Sequence, residues 1–176
     1  QNHDYYKNHI FKNANYLTHI DTRNDNKIYI KQIHDYKNFL KKQTFKYNKI
    51  YKYVLVSRQN SKRKLLNEHE LYNTLKPLGF TKVFFEKLSL EKQIEICRNA
   101  KILLGYHGAG LSNSFFMKEN QHLLEIVNIN YNHPWYETYS KVLNLNYKKL
   151  FCSINHKNLD GICNINSVKK NILKIL

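Results

Sequence analysis

The sequence predicts an α/β fold, a parallel β-sheet with helices on both faces. Three observations predict it. From Tyr53 onward, short runs of β-forming residues alternate with helix-periodic stretches. The run Lys101 to Phe116, KILLGYHGAGLSNSFF, reads as a buried strand, a glycine turn and the first turn of a helix beginning near Ala109. A length of 176 residues with 42% hydrophobic content suits one domain with a real core.

Residues 1–25 are polar, rich in Asn, His and Tyr, and lack periodicity. Residues 1–30 are therefore expected to be an interdomain connection or a remnant of a missing N-terminal domain, with 31–176 forming the domain proper. The first residue is Gln instead of Met, which suits part of a longer chain. KIYIK (27–31) suggests a short strand, and 32–46 a helix with Ile33, Tyr36, Phe39 and Leu40 on its apolar side. YVLVS (53–57) is a run of β-formers suited to a buried parallel strand, followed by a polar loop, RQNSKRK. Asn67 is expected to cap a helix running through Pro77, with Glu70 in the capping-box position and Gly79 beyond its end. KVFF (82–85) is the next strand, and Ser89 opens a helix burying Leu90, Ile94 and Cys97. After the glycine run come a strand at 122–127, a helix at 134–143, a last strand at 147–152 and a terminal helix at 167–176.

Parallel sheets bind ligands at the carboxyl ends of their strands, near the point where strand order reverses. Arg58, Glu86, His107 and Asn128 all fall at or just past such ends and should share one rim. Gly105, Gly108 and Gly110 are three of the chain's 5 glycines, so a backbone is being brought close to something. Free N–H groups and the positive end of a helix dipole would make an anion site there, which points to a phosphate-bearing ligand.

Arg58 and Arg63 lie on one polar loop over this rim. They can clamp a pyrophosphate, or be solvated loop charges. His107 can donate to a phosphate or sugar hydroxyl, act as a general base, or be structural. Glu125, inside the apolar run HLLEIV, needs a partner. A ribose or main-chain amides would satisfy it, and so would a neighbouring Arg or His.

Lys and Arg number 29 against 13 Asp and Glu, a formal charge of +16. Such an excess suits a nucleic acid or an acidic membrane surface. However, nearly all of it is Lys, scattered among Asn, Ile and Tyr, whereas nucleic-acid readers concentrate charge and use Arg. No specific nucleic-acid partner is expected, and membrane-surface association stays open. Cys97, Cys152 and Cys163 have no metal-ligand spacing. Cys152 and Cys163 can pair in an oxidising compartment or remain thiols. No run is long enough for a transmembrane helix, no signal peptide is visible, and no Asn-x-Ser/Thr sequon occurs, which inclines the expected compartment toward the cytoplasm. The glycine run is no Walker loop, because no Gly-Lys-Ser/Thr follows, and GLSNS falls one residue short of a nucleophile elbow.

YVLVSR, the second Arg at 63, N-E-x-E-L (67–71), G-F-x-x-V (79–83), E-x-L-S-x-x-x-Q-I (86–94), A-K-I-L-L-G-x-H-G-A-G-L-S-N (100–113), F-M (116–117) and L-E-I (124–126) follow one another in order. Together they resemble glycosyltransferase family 61 over roughly Lys31 to Cys152. The resemblance implies a GT-B architecture of two Rossmann-like domains, this chain being the C-terminal, nucleotide-sugar-binding half. It also implies an inverting transfer from a nucleotide sugar, with a UDP-linked donor expected, to a polysaccharide or glycoprotein hydroxyl. No cofactor or metal is implied, and the sequence has no D-x-D motif. By the same resemblance Arg58, Asn60 and Arg63 touch phosphate and sugar, while His107, Gly108, Ala109, Gly110 and Asn113 hold the diphosphate. The base falls in the region 85–88, whose Glu86 also counts among the donor contacts, at His107, or in the missing N-terminal domain. Phe85 before Glu86 and Tyr106 before His107 depart from the family pattern. A module that binds nucleotide or glycan without catalysis is the alternative.

Overall fold

The structure, a computed structural model, describes residue 38 and residues 50–130, 134–155 and 159–176. The chain divides into two units, Gln1–Thr44 and Phe45–Leu176, and every described residue except Asn38 belongs to the second. The strand expected at 27–31 lies outside the described residues. So does the helix expected at 32–46, apart from Asn38, which is helical.

A six-stranded sheet organises the second unit. Its strands are β1 (Tyr53–Val56), β2 (Phe80–Val83), β3 (Ile102–Tyr106), β4 (His122–Asn128), β5 (Asn146–Asn155) and β6 (Asp160–Cys163), in the order β2-β1-β3-β4-β5-β6. The first five run parallel, as expected of an α/β fold. The sixth, absent from the sequence reading, is antiparallel to β5, so the sheet is mixed. The connection from β5 to β6 is too short for a crossover, and a short connection can only return antiparallel.

All residues of β1 and β3 are buried, as central parallel strands require. Helices α1 (Glu68–Leu75) and α4 (Ile165–Leu173) cover one face. There Leu71, Leu75, Val168 and Ile172 meet Leu55, Leu104 and Ile126, each fully buried aliphatic contributing roughly 2 kcal/mol. The opposite face sets Val56, Gly105 and Glu125 side by side on β1, β3 and β4. Helices α2 (Leu90–Asn99) and α3 (Trp135–Leu143) complete the fold. Among the described residues no helix is long and apolar enough to cross a membrane.

Several boundaries differ from expectation. Ser89 caps α2 as anticipated, its Oγ accepting from the Lys92 amide at 3.3 Å. Asn67 stands at the N-terminal boundary of α1 as expected, but its side chain makes no capping bond. Its side-chain amide donates to the Cys163 carbonyl at 2.8 Å and its Oδ1 accepts from the Cys163 amide at 3.1 Å, so it ties the helix start to β6 instead. Strand β2 begins directly after Gly79, whose φ of 90° turns the chain out of a short 3-10 turn, Lys76–Leu78. Phe85 therefore leaves the sheet for a second 3-10 turn, Phe85–Lys87, where its ring is buried. Helix α4 starts earlier than expected because Asn164 caps it, accepting from the Ser167 amide at 2.9 Å.

Candidate functional site

Because β2, β1, β3 and β4 are parallel neighbours, the residues at their carboxyl ends converge on one rim. Strand order reverses between β1 and β3, and there Arg58 Nη1 donates to the His107 carbonyl at 2.6 Å. Beside it, Asn60 donates to Glu86 Oε1 at 2.9 Å. The loop after β1 is fastened at both ends. At its start, buried Glu68 accepts from Ser57 Oγ at 2.5 Å and from the Arg58 amide at 3.2 Å. At its end, the Lys64 amide donates to Asp160 Oδ1 at 2.7 Å, and Gly161 bonds both Lys64 and Leu66.

The glycine turn packs against β1 and its loop. Gly108 has φ +149°, and a Cβ added there would fall 0.8 Å from Arg58 Nη1. At Gly110 a Cβ would lie 2.9 Å from Val56 Cγ1, and at Gly105 3.0 Å from Leu111 Cδ2. The following segment, Ala109–Phe116, is a 3-10 helix and not the expected α-helix. Its bonds close tightly, Leu111 N to Gly108 O at 2.9 Å, and the Asn113 side chain also occupies the Gly110 carbonyl at 3.2 Å. The first two amides of such a helix, at Ala109 and Gly110, have no intrahelical carbonyl to bond.

A cleft of about 400 Å³ opens here, lined among others by Arg58, Asn60, Glu86, Ala109, Gly110 and Asn113. That size suits a small-molecule ligand. Ser57 and Gln93 also line it. Gln93 was not anticipated, and it braces the wall by donating to the Phe85 and Leu88 carbonyls at 3.1 and 3.0 Å. Arg63 and His107 line a separate hollow of about 10 Å³ with Tyr106 and Asn128. The anticipated residues thus divide between two adjoining spaces, with Arg58 reaching from one toward the other.

Arg58 Nε is buried and has no hydrogen-bond partner among the described residues. Burial first, and then the charge of Arg63, lowers the Arg58 pKa. Both effects disfavour the cation, and an anion bound beside it would offset both.

Glu125 is fully buried on β4. One carboxylate oxygen meets His107 Nδ1 and the other accepts from the Tyr147 hydroxyl. A lone buried carboxylate costs several kcal/mol, and these two bonds offset that. Burial, followed by the bond to Glu125, pushes the Tyr147 phenol well above its ordinary range. Glu125 therefore meets the rim through His107, not by a surface of its own. The His107 ring also lies edge-on to Tyr136 at 5.5 Å, and the Tyr136 hydroxyl donates to the Gly108 carbonyl at 2.7 Å. Among the described residues no group of three or more His, Cys, Asp or Glu is arranged to hold a metal ion.

The family model described as Glycosyltransferase 61 matches residues 7–124, more than half of the chain. The chain belongs to glycosyltransferase family 61. It is 31% identical over 80 residues to the EGF domain-specific O-linked N-acetylglucosamine transferase of Gallus gallus, a match covering 43% of this chain and 15% of that protein. The Drosophila melanogaster protein of the same name is 36% identical over 76 residues, covering 42% and 15%. The beta-1,2-xylosyltransferase of Arabidopsis thaliana is 26% identical over 97 residues, covering 48% and 18%. The matched span is thus less than a fifth of each of these relatives.

In this family 61 chain, Glu68, Tyr136 and Tyr147 belong to the site although no sequence pattern by itself singles them out. Glu68 stands inside the N-E-x-E-L motif, which was the one available signal. The two tyrosines are among 14 in the chain, and nothing local separates them from the others.

Proposed function

We propose that this chain is the donor-binding half of an inverting glycosyltransferase of GT-B architecture, taking a UDP-linked sugar and serving a glycan or protein hydroxyl. The observation that carries the reading is Arg58, whose half-buried guanidinium keeps an unpartnered Nε beside the 400 Å³ cleft at the strand-order reversal. Family membership supports sugar transfer, and the names of the relatives, an N-acetylglucosamine transferase and a xylosyltransferase, leave the sugar open.

In this reading the diphosphate sits against Arg58 and the amides of Ala109 and Gly110, with Asn60 and Asn113 beside it. The acceptor oxygen attacks the anomeric carbon in line as the bond to the diphosphate breaks. Its proton passes to a base, and the departing charge is neutralised by guanidinium and amide groups in the role a metal would otherwise fill. His107 is the base candidate in this half, held by Glu125. Arg63 lines the adjoining hollow and adds positive charge on the same rim.

Calorimetric titration of the 176-residue chain with UDP, at low and high salt, tests this. Saturable binding that persists in high salt is expected, weakened roughly tenfold or more by Arg58→Lys, which keeps the charge but loses the fork. No binding by a folded sample would overturn the reading. Binding without transfer in the longest available form of the chain would favour a non-catalytic module.

A further inference from the structure

We propose that Cys152 and Cys163 form an intrachain disulfide when the chain folds in contact with a small-molecule disulfide. The two residues are directly opposite on antiparallel strands β5 and β6. The Cys163 amide and carbonyl are both taken by Asn67, on the side away from β5. Correspondingly, the Cys152 carbonyl points to the β4 side, accepting from the Ile129 amide at 3.4 Å. The pair therefore exchanges no ladder hydrogen bonds. In an antiparallel sheet this is the close type of pair, with Cα atoms roughly 4.5 Å apart and side chains on one face. Disulfides span Cα separations from about 4.4 Å upward, so the backbone already suits the bond.

Side-chain placement agrees. Both residues are buried thiols. Cys152 Sγ lies 2.9 Å from where a Gly161 Cβ would be, two residues before Cys163 on the same face of β6. Gly161 thus leaves the sulfur room on the face it shares with Cys163, and a turn about the Cys152 Cα–Cβ bond carries it from one to the other.

The chemistry balances with oxidised glutathione as the oxidant. The Cys152 thiolate attacks its disulfide and releases one glutathione thiolate, and the Cys163 thiolate then displaces the second. The two protons lost by the protein thiols end on the two glutathione thiolates, so two protein thiols and one glutathione disulfide become one protein disulfide and two glutathione thiols. Burial raises both protein thiols to about 11, which slows exchange in the folded state and makes folding the moment of reaction. The bond would clasp β6, whose Asp160 and Gly161 hold the end of the Arg58–Arg63 loop. Nothing about sugar transfer is needed for it.

The test unfolds and reduces the 176-residue chain, refolds it in glutathione buffer dominated by the disulfide, and maps the monomeric product by alkylation and mass spectrometry. A cross-linked Cys152–Cys163 peptide with Cys97 alkylated is expected. The thermal midpoint should rise by roughly 5 °C or more over reduced protein and fall back with dithiothreitol. Cys97→Ala should keep this response and Cys163→Ser abolish it. A folded product with all three thiols alkylated, or one cross-linked through Cys97, would overturn the proposal.

Discussion

At Gly108 two constraints coincide, a φ of +149° and the guanidinium of Arg58 in the space a side chain would fill. Relaxing one does not relieve the other. Gly108→Ala is expected to lower stability by roughly 2 kcal/mol or more, read as a shift in the urea unfolding midpoint. A change within experimental error would mean that Arg58 moves aside without cost. The glycines themselves were plain in the sequence, but what approaches them was not, because Arg58 lies 49 positions before the carbonyl it bonds at His107. Glu125 shows the same division. A carboxylate in an apolar run announces that it needs partners, and only packing brings Tyr147 and His107 to it.

Among the elements, α1 starts where expected, directly after Asn67, but the Asn67 side chain does not cap it. Asn67 is a favoured cap residue, yet both ends of its amide are bonded to Cys163. Asn67→Ala is expected to cost roughly 1–3 kcal/mol in chemical unfolding. Asn67→Ser, a competent cap by its own chemistry, should not restore the loss, since a hydroxyl lacks the second bonding group. Recovery in the Ser variant would return Asn67 to a capping role. Strand β6 went unread for a related reason. It has four residues, and its place is set by β5 and by Asn67, not by any period of its own.

For the whole molecule, buried acids that hold their protons set the response to alkali. Burial first raises Tyr106 and Tyr139 to about 12 from an ordinary 10.0, and Cys152 and Cys163 to about 11 from 9.0. As pH rises past those ordinary values the unfolded chain releases protons that the fold retains. The folded state then binds more protons, so stability falls with pH. The contribution is fully present below about pH 9, declines through the thiol range and steepens through the phenol range. Urea midpoints measured from about pH 8 to about pH 11 should fall accordingly, and Tyr147→Phe should make the fall shallower by removing one such group. A flat profile would mean that these groups are open to solvent in the folded protein.

Legible from the amino acids alone were the alternation of strands and helices, the glycine turn, the family and the set of strand-end residues that share a rim. Each of these is carried by local pattern or by an ordered set of motifs. Packing established that Arg58 crosses to His107, that His107 is backed by Glu125 and Tyr147, and that the rim divides into a broad cleft and a small hollow. Those arrangements join residues far apart in the chain, and neither periodicity nor spacing specifies which side chain fills the gap between neighbouring strands.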